Sequence, residues 1–131
     1  MMRWLPGVAL AALLIGCSTD AGRSIRTTFD EIFHPTKGQS TLNAGLRQYD
    51  DGEYDEAAKN FQGALDLGLS ERQQVNALKH LAFIHCASNR ERQCREEFRK
   101  ALTVDPKLTL APEEAGHPVW GPIFRSVKAG R

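Results

Sequence analysis

The stretch Gly52–Leu65 carries apolar residues at intervals of three and four, the spacing of one face of an α-helix. Charged and amide side chains fill most of the intervening positions. This pattern predicts an amphipathic helix with a continuous apolar stripe. The stripe consists of Tyr54, Ala57, Ala58, Phe61, Ala64 and Leu65.

The same pattern returns further along the chain at a fixed offset. Phe61 and Phe98 lie 37 residues apart, and other positions agree on that offset. A fixed period of this size indicates an internal repeat, in which each copy is predicted to be a helical hairpin. The matching pairs are Gly45 with Ala82, Gly52 with Asn89, Ala57 with Cys94, Ala64 with Ala101 and Leu65 with Leu102.

Capping and turn residues predict where the helices of the two hairpins begin and end. Ser40 or Thr41 is predicted to cap the first helix, and Gly52 to turn the chain into the second. Ser70 and Gln73 have the spacing of a capping box at the start of the third helix. The third helix is apolar around most of its circumference, which indicates the centre of the domain.

Residues 107–131 are predicted to cap the two repeats. Pro106 ends the fourth helix, and two further prolines favour an extended segment as far as Gly121. A last helix is predicted from Ile123 to about Ala129. The predicted inward-facing residues are Leu108, Leu110, Phe124 and Val127. The predicted fold class is all-α, with two helical hairpins over residues 40–106 followed by an extended segment and a capping helix.

Residues 1–16 have the pattern of a signal peptide. A basic start at Arg3 precedes an uncharged apolar run that is too short to span a bilayer comfortably. The run ends at Leu14-Ile15-Gly16-Cys17, which resembles the bacterial lipobox. The resemblance implies acylation of Cys17, cleavage in front of it and attachment to a membrane through the lipid. A simple secretory leader and a retained anchor are the alternative interpretations.

Residues 17–39 are predicted to form a polar, lipidated tether. Ser18 is not the aspartate associated with inner-membrane retention of bacterial lipoproteins, so the resemblance implies the outer membrane, with the domain facing the periplasm. An apolar set within the tether fits docking on the chain's own domain, which we favour, or docking on a partner. This set, here called the tether stripe, consists of Ile25, Phe29, Ile32 and Phe33.

The charge balance argues against one class of partner. The chain has 17 Lys and Arg and 16 Asp and Glu. Removing Arg3 with the leader leaves a formally neutral mature chain. Because a nucleic-acid-binding protein is expected to carry a basic face, the composition gives no case for nucleic acid as a partner.

Cys86 and Cys94 remain as a pair once Cys17 is acylated. They flank the turn between the third and fourth helices, where antiparallel helices bring such positions level, so a disulfide is the leading prediction for an oxidising compartment. Two buried thiols or a zinc site with His80 and His85 are the alternatives. Zinc is disfavoured because these histidines are five residues apart and point away from each other on a helix.

No catalytic constellation is visible in the sequence. His117 has no nucleophile or carboxylate placed by a motif to work with it as a general base, so a structural hydrogen bond to the backbone is favoured. Arg92, Arg95 and Arg99 fit an acidic partner or, as we favour, a solvated face paired with neighbouring glutamates. The sequence therefore predicts a protein that is not an enzyme and that uses no cofactor, metal or small-molecule substrate.

The repeated pattern resembles tetratricopeptide repeats over roughly residues 40–106. It departs from them at Leu69, where a closing proline is usual, and at Cys94, where a small alanine is usual. Only two copies are visible, whereas stacked repeats generally need about three or a capping element. The resemblance rests on Gly45, Gly52, Tyr54, Ala57, Phe61, Ala64 and Leu65, echoed by Leu81, Ala82, Phe98, Ala101, Leu102 and Pro106.

The resemblance implies a site for protein partners. Tetratricopeptide hairpins usually bind through the inner face of the first helix of each pair, which here would form an apolar and aromatic groove with a few polar groups. The alternative is that Tyr49 and Phe83 belong to the core. The residues on the implied face are Leu42, Asn43, Leu46, Tyr49, Lys79, His80 and Phe83.

A narrower resemblance joins the lipobox, one pair of hairpins and the run EAGHPVWGP at residues 114–122. Together they look like the TssQ-like lipoproteins associated with bacterial type VI secretion. The function this implies is a non-enzymatic outer-membrane scaffold or assembly factor, with protein components of a cell-envelope secretion complex as partners. The alternatives are a pilotin-like lipoprotein for a secretin or pilus system, and a small envelope enzyme or metal-dependent sensor.

Overall fold

The structure is a computed structural model, and it describes residues 35–130. Within that range the chain forms helices and turns and no strand, so the all-α prediction is confirmed. The predicted leader, Cys17 and the tether stripe lie outside the described residues. The helices are α1 Lys37–Asp50, α2 Tyr54–Leu67, α3 Glu71–Ala87, α4 Glu91–Val104, α5 Pro112–Ala115 and α6 Trp120–Lys128.

The first helix begins earlier than the sequence pattern predicted. Thr36 is its N-cap, and the Thr36 Oγ1 atom accepts a hydrogen bond from the backbone N–H of Gln39 at 3.2 Å. The prediction that Ser40 or Thr41 caps this helix is therefore wrong, and residues 37–39 of the predicted tether are helical. The Thr41 hydroxyl instead donates to the Lys37 carbonyl oxygen one turn back, at 2.9 Å. Three capping-type residues stand close together here, and local pattern alone does not rank them.

The two hairpins, α1 with α2 and α3 with α4, turn at residues in the left-handed region. Gly52 has φ 81° and Asn89 has φ 59°, which confirms both predicted turns. Gly45 lets α1 approach α2 closely, because a Cβ atom at this position would lie 2.9 Å from the Phe61 ring. At the start of α3, the Ser70 backbone N–H donates to Gln73 Oε1 at 3.1 Å, as the predicted capping box requires.

The α3 helix forms the centre of the domain, as its apolar circumference predicted. It packs against α1, α2, α4 and α6. Two groups of core residues meet on it, one shared with the first hairpin and one shared with α4 and the C-terminal segment. Its buried residues are Ala77, Leu78, Leu81, Ala82, Phe83, Ile84 and Cys86.

The segment after α4 covers the second hairpin. Its four predicted inward-facing residues, Leu108, Leu110, Phe124 and Val127, are all buried. The centre of the Phe124 ring lies 5.2 Å from that of Phe98, in an edge-to-face arrangement. The extended segment contains the short α5, which was not predicted, and α6 starts at Trp120, three residues before the predicted start at Ile123.

Candidate protein-binding groove

An open groove of about 450 Å³ lies between α1 and α3, the first helices of the two hairpins. We call it the α1–α3 groove. Four of the seven residues assigned to the binding face line it: Leu42, Asn43, Leu46 and Lys79. The other lining residues are Gln39, Arg72, Gln73, Val75, Asn76 and Leu108.

Most of the lining residues that the sequence reasoning missed share a helix face with those that it found. Val75 and Asn76 lie four and three residues before Lys79 on α3, and Gln39 lies three residues before Leu42 on α1. Helical spacing could have found all three. Leu108 could not be found in this way, because it reaches the groove from the segment after α4.

The α1–α3 groove combines apolar and amide side chains. Leucine and valine side chains form its apolar part, and Leu42 and Leu108 among them are buried. Side-chain amides offer both donors and acceptors, which suits the backbone of a bound peptide. The Gln39 Oε1 atom is buried and accepts no hydrogen bond within residues 35–130. A mixture of apolar and polar groups of this kind is suited to contact with another polypeptide.

Phe83 lies outside the groove and within the core. Its side chain is 2% exposed. The Trp120 ring stacks on it with the ring centres 4.5 Å apart. The interpretation of Phe83 as a core residue therefore holds, because the C-terminal segment covers the part of the inner face that this side chain was assigned to.

His80 and Tyr49 form an aromatic cluster beside the groove. The His80 ring lies edge-on to Tyr49 at 4.9 Å and also contacts the rings of Phe61 and Phe83. Its Nδ1 atom lies 2.8 Å from the Asn76 carbonyl oxygen, the geometry of a donated N–H bond. Burial lowers the pKa of His80, and burial raises that of Tyr49, so both side chains are held neutral near pH 7. Both act as packing residues.

Glu114 connects the groove to the C-terminal segment. Its Oε1 atom pairs with Lys79 Nζ at 2.7 Å, and both side chains are about one-fifth exposed. Its Oε2 atom accepts from the Ala111 backbone N–H at 3.0 Å, and its carbonyl oxygen accepts from Trp120 Nε1–H at 2.9 Å. One residue thus holds the groove wall, the start of α5 and the ring that covers Phe83.

The structure joins Cys86 and Cys94 in a disulfide, with their Cα atoms 5.1 Å apart. Both residues are buried between α3 and α4. Within the described part of the chain, no group of three or more His, Cys, Asp or Glu side chains is arranged to hold a metal ion. The buried disulfide gives these cysteines a structural role.

His117 takes the structural role that the sequence favoured, and of Arg92, Arg95 and Arg99 only Arg95 has a glutamate partner within residues 35–130. The His117 ring stacks on Trp120, and its Nδ1 atom accepts a hydrogen bond from the Val119 backbone N–H at 3.1 Å. Arg95 pairs with Glu91 at 2.9 Å and also donates to Ser126 of α6. Arg95 therefore fastens α4 to the C-terminal segment.

None of the helices between residues 35 and 130 is long and apolar enough to cross a membrane.

The chain is similar over part of its length to proteins described as photosystem I assembly protein Ycf3. The protein from Synechococcus sp. strain CC9605 is 32% identical over 81 residues, which cover 60% of this chain and 47% of that protein. Its counterpart from strain CC9902 is 35% identical over 81 residues with the same coverage. The one from strain CC9311 is 33% identical over 63 residues, covering 48% of this chain and 36% of that protein. The chain thus spans about half the length, or less, of these curated relatives. No protein-family model and no solved structure matches it.

Proposed function

We propose that this protein is a non-enzymatic scaffold or assembly factor that binds a segment of a partner protein in the α1–α3 groove. The observation that carries the proposal is the groove itself, which places leucine and valine side chains beside amides on the inner helices of two hairpins. An amphipathic or extended peptide satisfies both kinds of group at once.

The similarity to assembly proteins supports the same role. Those relatives are described as assembly proteins of photosystem I, and the match covers about half of their length or less. The part of that description proposed for this chain is assistance in building a multiprotein complex through protein–protein contacts. The comparison gives no reason to assign photosystem I as its target.

The finer proposal is an outer-membrane lipoprotein of a cell-envelope machine, with type VI secretion as the leading system. It is supported by the lipobox-like run that ends at Cys17, by the serine that follows it, and by the resemblance of residues 114–122 to the TssQ-like lipoproteins. Lipid attachment would hold the groove in the periplasm, within reach of the periplasmic parts of such a complex.

The test of the groove uses two exposed amides as a matched pair. Asn43 lines the groove, whereas Gln62 is an exposed residue of α2 that does not line it. A photo-crosslinking residue at position 43 should capture a defined envelope protein, and the same residue at position 62 should not. Asn43→Arg should weaken binding of the captured partner at least tenfold while Gln62→Arg leaves it unchanged. Equal capture at both positions, or equal affinity of both arginine variants, would contradict the groove assignment.

The test of the finer proposal starts from the membrane fraction. Mass spectrometry should find acyl groups on the N-terminal Cys17, and Cys17→Ala should move the protein out of the outer-membrane fraction. The captured partner should be a type VI component. A secretin or pilus component in its place would support the pilotin-like role.

A further inference from the structure

The α1–α3 groove begins where the described chain begins. Gln39, in the first turn of α1, is one of its lining residues, and Thr36 is the N-cap directly before that helix. Pro35, the first described residue, therefore precedes the end of α1 that carries Gln39 and reaches the groove. A peptide continuing from this point needs only a short connection to reach it.

The preceding sequence carries a pattern suited to such a site. The tether stripe, Ile25, Phe29, Ile32 and Phe33, follows the spacing of one face of a helix. Pro35 follows two residues later, and a residue before proline is disfavoured in the α region. A helix over the tether stripe is therefore expected to end before α1 begins, which allows the segment to lie beside α1 instead of continuing it.

The lengths of the two elements agree. A helix from residue 25 to residue 33 spans about 12 Å at 1.5 Å per residue. The α1 residues that line the groove run from Gln39 to Leu46, which corresponds to about 10 Å on the same measure. One face of the segment is thus long enough to cover the groove.

The charges agree as well. Residues 25–33 carry two carboxylates, Asp30 and Glu31, and one cation, Arg26. Arg72 lines the groove, is exposed, and pairs with no carboxylate within residues 35–130. With one carboxylate more than its cations, the segment in the groove would offer this arginine a partner and would place polar donors near the unbonded Gln39 Oε1 atom.

We propose that residues 25–33 of the chain occupy the α1–α3 groove in cis as a short amphipathic helix, and that a partner segment binds by displacing them. The proposal that the segment occupies the groove rests on the groove residues and on the sequence of residues 25–33. The displacement step rests on the proposed function of the groove. Such a segment would set the affinity of the protein for its partner without any change in the groove residues.

Because the connection is short, weak contacts between the segment and the groove are sufficient to keep the groove occupied. A segment joined by a short linker faces its site at an effective concentration of order millimolar, so an intrinsic dissociation constant of roughly 100 μM would fill the groove about nine-tenths of the time. A site that is free only one-tenth of the time binds its partner roughly tenfold more weakly. Removing the stripe should therefore tighten partner binding by about that factor.

The occupancy is measured by NMR on the chain from residue 17 to residue 131 with Cys17→Ser, methyl-labelled at Leu and Val. The expected result is nuclear Overhauser contacts from the rings of Phe29 and Phe33 to the methyl groups of Leu46 and Val75. Phe29→Ser with Phe33→Ser should remove these contacts and shift the groove methyl signals. The matched control, Thr27→Ala, changes the opposite side of the same segment and should leave both unchanged.

Two outcomes would overturn the proposal. One is the absence of these contacts together with groove methyl signals that do not respond to the double Phe variant. The other is contacts that appear between differently labelled chains in a mixed sample, because these would assign the segment to the groove of a second copy. Arg72→Glu, which keeps the groove but reverses its charge, should weaken the contacts, and an unaltered spectrum would count against the acidic pairing.

The occupancy result does not depend on any partner, so it separates this inference from the proposed function. Contacts between the stripe and the groove with no partner captured at position 43 would leave cis occupancy standing and reject the partner-binding role. A partner captured at position 43 whose affinity is the same with and without the double Phe substitution would reject the competition.

Discussion

The two hairpins share one repeat pattern, but different interactions hold their helices together. In the second hairpin, the disulfide between Cys86 and Cys94 joins α3 to α4. Thirty-seven residues earlier, the equivalent positions are Tyr49 and Ala57. The first hairpin closes by the close contact of Gly45 with the Phe61 ring, without a covalent link. The second hairpin is thus closed by a covalent bond, whereas the first is closed by packing and by a hydrogen bond that Asn60 Nδ2–H donates to Gln48 Oε1.

The two hairpins also differ in how the rest of the chain covers them. The C-terminal segment packs on the second hairpin, with Trp120 over Phe83 and Phe124 against Phe98. The first hairpin contributes α1 to a groove that no segment within residues 35–130 fills. The second hairpin is therefore linked by a disulfide and covered by the C-terminal segment, whereas the first is closed without a covalent bond and lines the groove through α1.

The largest effect is expected on removing residues 107–131. This deletion takes away the rings that cover Phe83 and Phe98, so the second hairpin would expose a contiguous apolar surface. The truncated protein should bind a hydrophobic dye and lose its cooperative thermal transition by circular dichroism. Deleting residues 129–131, which follow α6, is the control and should change little. A truncated chain that melts cooperatively at the original temperature would show that the segment is not a cap.

The next effect tests the covalent link. Cys86→Ser with Cys94→Ser opens a short loop, for which chain entropy predicts a loss of about 2–3 kcal/mol in the free energy of unfolding. The helices and the affinity of the groove for its partner should be retained, because neither cysteine lines the groove. Denaturant unfolding and thiol titration of the unfolded protein measure these quantities. Two titratable thiols at Cys86 and Cys94 in protein purified without reductant would refute the bridge, and lost binding at unchanged stability would give the cysteines a functional role.

A smaller effect tests the close packing of the first hairpin. Gly45→Ala places a Cβ atom against the Phe61 ring and should cost roughly 1–3 kcal/mol by overpacking. Gly63→Ala is the matched control, since its Cβ atom would meet only Thr41 Cγ2, at 3.8 Å. That change should stabilise the protein by about 0.5–1 kcal/mol through helix propensity. If both variants unfold at the same denaturant concentration, the close approach at Gly45 is not needed.

The smallest effect is a dependence of stability on pH. Burial lowers the pKa of both His80 and His85 below the ordinary value of 6.5, so the unfolded chain takes up protons first on acidification. The free energy of unfolding should therefore fall as the pH drops through 6.5 and level off below the folded-state pKa. His80→Gln should remove more of this slope than His85→Gln, because aromatic rings from the first hairpin enclose His80. Urea unfolding between pH 7.5 and 5 measures how the free energy of unfolding changes with pH. The same dependence in the unaltered protein and in both variants would show that these histidines do not cause it.

Local periodicity was sufficient for much of this fold. The four long helices, the Gly52 and Asn89 turns and the inward-facing residues Phe124 and Val127 all follow from spacing within one element. Spacing of this kind reports which side of an element is apolar. It does not report which other element covers that side.

The features that were missed depend on contacts between distant parts of the chain. The placement of Trp120 on Phe83 and the arrival of Leu108 in the groove join residues more than thirty positions apart. The start of α1 at Thr36 also escaped prediction. Its first turn contains Gly38, a residue unfavourable in helices, which is accepted because a Cβ atom there would collide with the Gly68 carbonyl oxygen.

The connectivity of the domain has a consequence for the order in which it can be completed during synthesis or passage across a membrane. Each of α1 to α3 packs on the helix that follows it, so both hairpins can form as soon as their own residues emerge. The cysteines are only eight residues apart, so they meet within one hairpin. Besides α3, the helix α4 packs on α6, which lies near the end of the chain and emerges later. Until residue 128 has emerged, Phe98 remains uncovered, and a stall in this interval would leave the nascent protein exposed to aggregation and proteolysis.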